Sequence, residues 1–254
     1  MKSKSRFTTH EQIVRIAIVG MLIALGYLLM LFGKIQGYPF APFLEIEISD
    51  TIVLVAYSLY GFWASLFVSF GKTLLHLLTF GPVGTPIPIG NITALFTSVL
   101  YSLCLLVLDK GLKIFSKNRW MRYLGYVLIV LVVSSVMTFL NYLFITPTFL
   151  VYGATFFTFK DIEGALLGVF ENLEKNLKDA VTTFHELFGN ASFGIAIFTI
   201  YFPFNLIKGS LVCLFYELIF NRVIFHMLKN GRFKSKVFLK KSEVVDEKNE
   251  ETEN

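Results

Sequence analysis

The chain has 254 residues, of which 55% are hydrophobic and only 16% charged, with a formal net charge of +5. Soluble domains average about 25% charged residues, so this composition, with a mean hydropathy of +0.65, excludes an ordinary soluble domain and indicates an integral membrane protein. The excess positive charge lies in juxtamembrane segments with no nucleic-acid-binding motif beside it, so it reads as an orientation signal.

The chain opens with a basic segment, Lys2, Lys4 and Arg6. No small-residue cleavage site follows the first apolar run, so that run is expected to be a retained helix, at about 13–32. Within it Ala17, Gly20 and Ala24 are small residues at a spacing that lets another helix approach closely. A polar and aromatic loop follows, with Pro39, Pro42, Glu45, Glu47 and Asp50. Next comes a long apolar stretch, 51–80, which reads as one helix or two.

The basic residues decide between these. Lys110, Lys113, Lys117, Arg119 and Arg122 form one group between helices. Arg222, Lys229, Arg232, Lys234 and Lys236 form another after the last helix. By the positive-inside rule both groups and the N-terminus belong on the cytoplasmic side. A single span over 51–80 leaves an odd number of crossings before Lys110. A split at Gly61 restores an even number. The expectation is therefore an all-α bundle of six transmembrane helices, at about 13–32, 51–60, 62–79, 91–115, 121–146 and 193–228, with both termini cytoplasmic. The second is short for a bilayer and has to be tilted, offset or shielded. Residues 1–230 form the single membrane domain. The outer loop after the fifth helix carries an amphipathic segment at about 161–188, read as a lid-like surface helix. The charged tail, 231–254, is expected to be cytoplasmic and disordered.

The sixth span holds the most informative residue. Lys208 lies inside the apolar run 193–220, where a charge costs roughly 2.5–3.5 kcal/mol on insertion scales. Asn205 is three residues earlier and on the same helical face. Pro203 cannot donate to the carbonyl of Thr199. A cation, an amide and a freed carbonyl within two turns suit a polar small molecule held inside the bundle. Glu217 is the main intramembrane carboxylate available to Lys208, but nine residues along the same helix it is too far for direct pairing. Asn91 caps its helix or binds ligand, Asn141 binds ligand or acts as interhelical glue, and Lys72 and His76 either join the polar cluster or snorkel to the surface. Glu45 and Glu47 read as solvated loop residues.

Enzyme chemistry has no support here. The sequence contains no HExxH, GxSxG or P-loop and no paired intramembrane aspartates. Cys104 and Cys213 sit in apolar runs without CxxC spacing, which indicates buried small hydrophobes and neither metal nor disulfide.

Several segments together carry a family resemblance across about 13–223. They are the Gly20/Ala24 pattern, the loop residues 43–50 (FLEIEISD), Lys72-Thr-Leu-Leu-His76, Gly81-Pro-Val-Gly84 with Gly90-Asn91, Asn141-Tyr142 with Pro147, and the segment 203–209 (PFNLIKG). In order and spacing they resemble the substrate-binding S components of energy-coupling factor (ECF) vitamin transporters, most closely the riboflavin-specific RibU branch. The resemblance implies a high-affinity riboflavin-binding subunit of a prokaryotic plasma-membrane importer, with riboflavin as cargo and no cofactor. It implies that Asn141, Asn205 and Lys208 hydrogen-bond the flavin, with Asn91 and Leu44 beside them. Tyr38, Phe40 and Phe43 would face the flavin's apolar surface. It also implies a transmembrane T component docked on Ala17, Gly20 and Ala24, and two cytoplasmic ATPases. The loop after the fifth helix is longer than the family pattern. An S component for thiamine, folate or pantothenate is the alternative, followed by a cargo-free accessory protein in which Lys208 pairs with an internal carboxylate.

Overall fold

In the computed structural model the described residues are almost wholly helical. The structure describes residues 9–36, 38, 39, 41, 44–80, 89–111, 119–152, 172–188, 192–220 and 222. The elements are α1 (Thr9–Phe32), β1 (Lys34–Ile35), β2 (Ile46–Glu47), α2 (Asp50–Tyr60), α3 (Phe62–Phe80), α4 (Ile89–Leu106), α5 (Arg119–Leu140), α6 (Thr146–Tyr152), α7 (Leu173–Phe188) and α8 (Phe193–Ile219). Among the described residues five stretches are long and apolar enough to cross a membrane: Gln12–Phe32, Phe62–Thr79, Ile89–Gly111, Trp120–Leu150 and Phe193–Ile219.

The short α2 is the centre of the bundle. It is apolar on every side, as a helix surrounded by protein must be. Its residues from Asp50 to Ser58 are all buried, enclosed by α1, α3, α4 and α8. Of the three ways to accommodate a short helix, shielding is the one adopted. Its length is about 16 Å, roughly half the hydrocarbon thickness. The helix ends at Gly61, whose φ of 85° lies in the region that only glycine adopts without strain. The Gly61 N–H donates to the Tyr57 carbonyl at 2.7 Å, and α3 starts at the next residue.

Close approaches fix the remaining helices. A Cβ on Gly71 would lie 2.8 Å from Ile23 Cδ1, so α3 and α1 touch there almost backbone to side chain. Gly71→Val should therefore overpack this contact and destabilise the protein by about 1–3 kcal/mol. The check is a melting curve in detergent, in which a lowered midpoint is expected. A Cβ on Gly209 would lie 3.1 Å from the Tyr101 hydroxyl and 3.3 Å from Val130, so α8 packs tightly on α4 and α5. Deep in the core the Tyr216 and Ser58 hydroxyls are 2.5 Å apart, joining α8 to α2.

One helix end differs from the sequence expectation. α4 passes at Leu106 into a π turn, Val107–Gly111, and its expected end near 115 lies outside the described residues. The fifth helix does not end near 146. It passes through a π turn, Asn141–Ile145, into α6. Pro147 has no N–H for the Leu143 carbonyl, and the wider turn just before it absorbs that mismatch. The amphipathic α7 buries Ala180 and Phe184. Phe184 meets Phe193 edge-on at 5.3 Å, and Phe193 meets Tyr142 at 5.7 Å, which seats α7 against the ends of α5 and α8. Residues 161–171 of the expected amphipathic segment and the tail after 222 lie outside the described residues.

Candidate binding site at the head of the short helix

The site starts with the loop between α1 and α2. Lys34 pairs with Glu47 and Ile35 with Ile46 in a two-residue antiparallel ladder. Lys34 Nζ lies 2.8 Å from Glu45 Oε2, and Gln36 donates to Glu45 Oε1 at 3.0 Å. The Lys34 hydrogen bond, together with that from Gln36, holds the Glu45 carboxyl below its ordinary range. Glu45 is thus a clasp of the loop rather than a merely solvated acid.

The clasped loop lies on α8. Tyr38 is buried, donates from its hydroxyl to the Ile200 carbonyl at 3.1 Å and meets Phe204 edge-on at 5.3 Å. Ala41, Ile46 and Leu44 complete this contact. Residues 200, 204, 208 and 211 fall on one face of α8, so the loop covers the face that carries Lys208. Phe40 and Phe43 lie outside the described residues.

Below the loop is a buried network of alternating charge. Asp50 is 1% exposed and Lys72 is 0% exposed. Lys72 Nζ donates to Asp50 Oδ1 at 2.8 Å and to Ser49 Oγ at 2.5 Å. Glu47 Oε1 accepts from Ser49 Oγ and lies 3.9 Å from Lys72 Nζ. Ser98 on α4 donates to Asp50 Oδ1 as well. Lys208 Nζ stands 3.7 Å from Asp50 Oδ2. One oxygen of Asp50 is therefore saturated, and the other faces Lys208 alone among the described residues.

The structure decides between the two readings of Lys72 and changes one expectation, for Lys208. Lys72 does not snorkel. It points into the bundle because Gly26 on α1 leaves space for its stem, at 3.3 Å from where a Cβ would sit. Lys208 has an acidic partner after all, on α2 rather than on its own helix. Glu217 is engaged elsewhere, with Arg122 Nη2 at 3.1 Å and the Tyr126 hydroxyl at 2.6 Å. Glu47, read from the sequence as a solvated loop residue, joins this network, as do Ser49 and Ser98, which sequence reasoning passed over.

The asparagines line the other side. Arg122 against Glu217 and Val130 against Gly209 set an antiparallel register between α5 and α8. Ser134, Thr138 and Asn141 then follow one another along the α5 side of the seam, with Asn205 opposite. Asn141 is buried and its Nδ2 donates to the Met137 carbonyl at 2.8 Å. Asn205 Nδ2, Ser134 Oγ and Thr138 Oγ1 are buried with no hydrogen-bond partner among the described residues. Such groups are rare in finished interiors and are met at sites that take up water or a ligand. Asn91 is the third residue of α4, half-buried, and is not its cap. It lies seven residues, two turns, before Ser98 on the same face. Ala17, Gly20 and Ala24 are exposed on α1, away from the network.

A membrane bundle with two largely buried ammoniums and, among the described residues, several unpartnered polar groups under a covering loop has the makings of a binding or transport subunit. A family profile, "ECF transporter, substrate-specific component", matches residues 14–220. The chain belongs to this family, whose members are substrate-binding transport subunits and not enzymes. The family implies a vitamin ligand, a T component and ATPases. A solved structure of the S component of a bacterial ECF transporter superposes with a TM-score of 0.54 at 20% identity, covering 85% of this chain and 98% of that one, which shows the shared fold. No curated protein matches the sequence.

Proposed function

We propose that the chain is the riboflavin-specific S component of an ECF importer, in the plasma membrane of a prokaryote with both termini cytoplasmic. The observation that carries this reading is Lys208. It makes an ion pair but no hydrogen bond among the described residues, so all three of its N–H groups remain to be used. Asn205, Ser134 and Thr138 add unpartnered polar groups along the adjoining seam. A flavin ring presents carbonyl and imide edges to such donors, and its apolar faces suit an aromatic loop around Tyr38. Asn141, Asn91 and Leu44, with Phe40 and Phe43, complete the proposed cargo set. Mass spectrometry of small molecules that copurify with the detergent-solubilised chain tests this. Riboflavin is expected, and a different vitamin held in its place would refute the riboflavin assignment.

The exposed Ala17, Gly20 and Ala24 are the proposed contact for the T component, with two ATPases beyond it. Gly20→Leu or Ala24→Leu should leave cargo affinity unchanged and block uptake by the assembled transporter. Loss of affinity in the isolated subunit would contradict an interface role for α1.

A further inference from the structure

We propose that this site selects an uncharged cargo, and that Asp50 is the positioning residue that reserves Lys208 for it. The inference rests on reading the surroundings of Lys208 as the cargo site, but not on the cargo being riboflavin.

The network joins two carboxylates, Glu47 and Asp50, to two ammoniums, Lys72 and Lys208. Its formal charge is zero. Lys72 is consumed by Asp50 and Ser49 and has no exposed surface for a ligand. Within this network Lys208 is the ammonium left within reach, its side chain 14% exposed. Its distance of 3.7 Å from Asp50 Oδ2 compensates its charge without occupying its N–H groups in a hydrogen bond.

An anionic cargo would have to draw Lys208 away from Asp50 or sit beside a buried carboxylate, and like charges set together are strongly disfavoured. A cationic cargo would meet the donor end of Lys208. An uncharged cargo with carbonyl or ring-nitrogen acceptors takes those N–H groups and leaves the ion pairs intact. Asp50 thereby both places the ammonium and cancels its attraction for anions.

The test is calorimetric titration of the solubilised full chain with riboflavin and pyridoxine as uncharged probes, pantothenate and folate as anions and thiamine as a cation. The wild type should bind an uncharged probe at least about 100-fold more tightly than any charged one. Asp50→Asn leaves the network one charge positive and should shift the preference toward anions by about tenfold, a change that mere destabilisation does not produce. Should that variant fail to fold, Asp50→Asn with Lys72→Met keeps the formal charge at zero. The double variant should lose about tenfold in affinity for the uncharged cargo while still refusing anions. Tight binding of pantothenate, folate or thiamine by the wild type would overturn the inference, as would failure of both uncharged probes. Unchanged affinity in the double variant would remove Asp50 from its positioning role. Binding of pyridoxine without riboflavin would end the riboflavin reading and leave this inference standing.

Discussion

Asp50→Ala should be among the most destabilising single substitutions in the chain. The change leaves Lys72 fully buried, with Glu47 at 3.9 Å as its remaining acidic neighbour, and strips Lys208 of its counter-ion. Removing one partner of a buried ion pair costs about 3–5 kcal/mol, because the charge left behind has lost water and gained nothing. Here one carboxylate serves two ammoniums and a serine. The measurement is thermal unfolding of the empty protein in detergent, with a large fall in the midpoint expected. Glu174→Ala provides the contrast. That residue pairs with Lys178 at 2.7 Å, but both side chains are largely exposed, and water screens such pairs so that they contribute little. Equal midpoints for the two variants would mean that the buried network does not hold the bundle together.

Lys208→Met should act in the opposite way, on binding far more than on folding. Asp50 keeps Lys72 and Ser98 on Oδ1 when Lys208 is removed, so the carboxylate retains a counter-ion although Oδ2 loses its own. Methionine replaces the stem with apolar bulk of similar length. Hydrogen bonds to a charged group are worth about 1.5–3 kcal/mol, so cargo affinity should fall by about 10- to 150-fold. Titration of wild type and variant, with melting curves beside them, separates the two effects. Unchanged affinity would take Lys208 out of the site.

These two substitutions show what the sequence made legible. The break at Gly61 followed from counting basic residues across the spans, and the structure puts a positive φ and a change of helix there. The exposure of Lys208 to an apolar run made it conspicuous from hydropathy alone. Its counter-ion was hidden for a geometric reason. Asp50 closes a loop in the sequence, and only the burial of α2 on every side brings it against α3, α4 and α8. Lys72 was equally ambiguous, because snorkelling or pairing depends on which way the helix faces. The signal that pointed inward was Gly26, which no periodicity on α3 reveals. Small hydroxyl residues repeated along α3 and α4, Ser65 and Ser69, Ser98 and Ser102, were the available hint of a close-packed polar interior. They are all buried. The π turn at Asn141 depends on Pro147 six residues later, a helix-through-proline solution that local rules read as a helix end.

The proposal that riboflavin is the cargo is tested most directly by titration of the purified subunit with riboflavin. Flavin fluorescence should quench on binding, saturably, at one site and at nanomolar concentration, and Lys208→Met should move the midpoint of the quench to a concentration about 10- to 150-fold higher. Absence of quenching by well-folded wild-type protein would contradict the account.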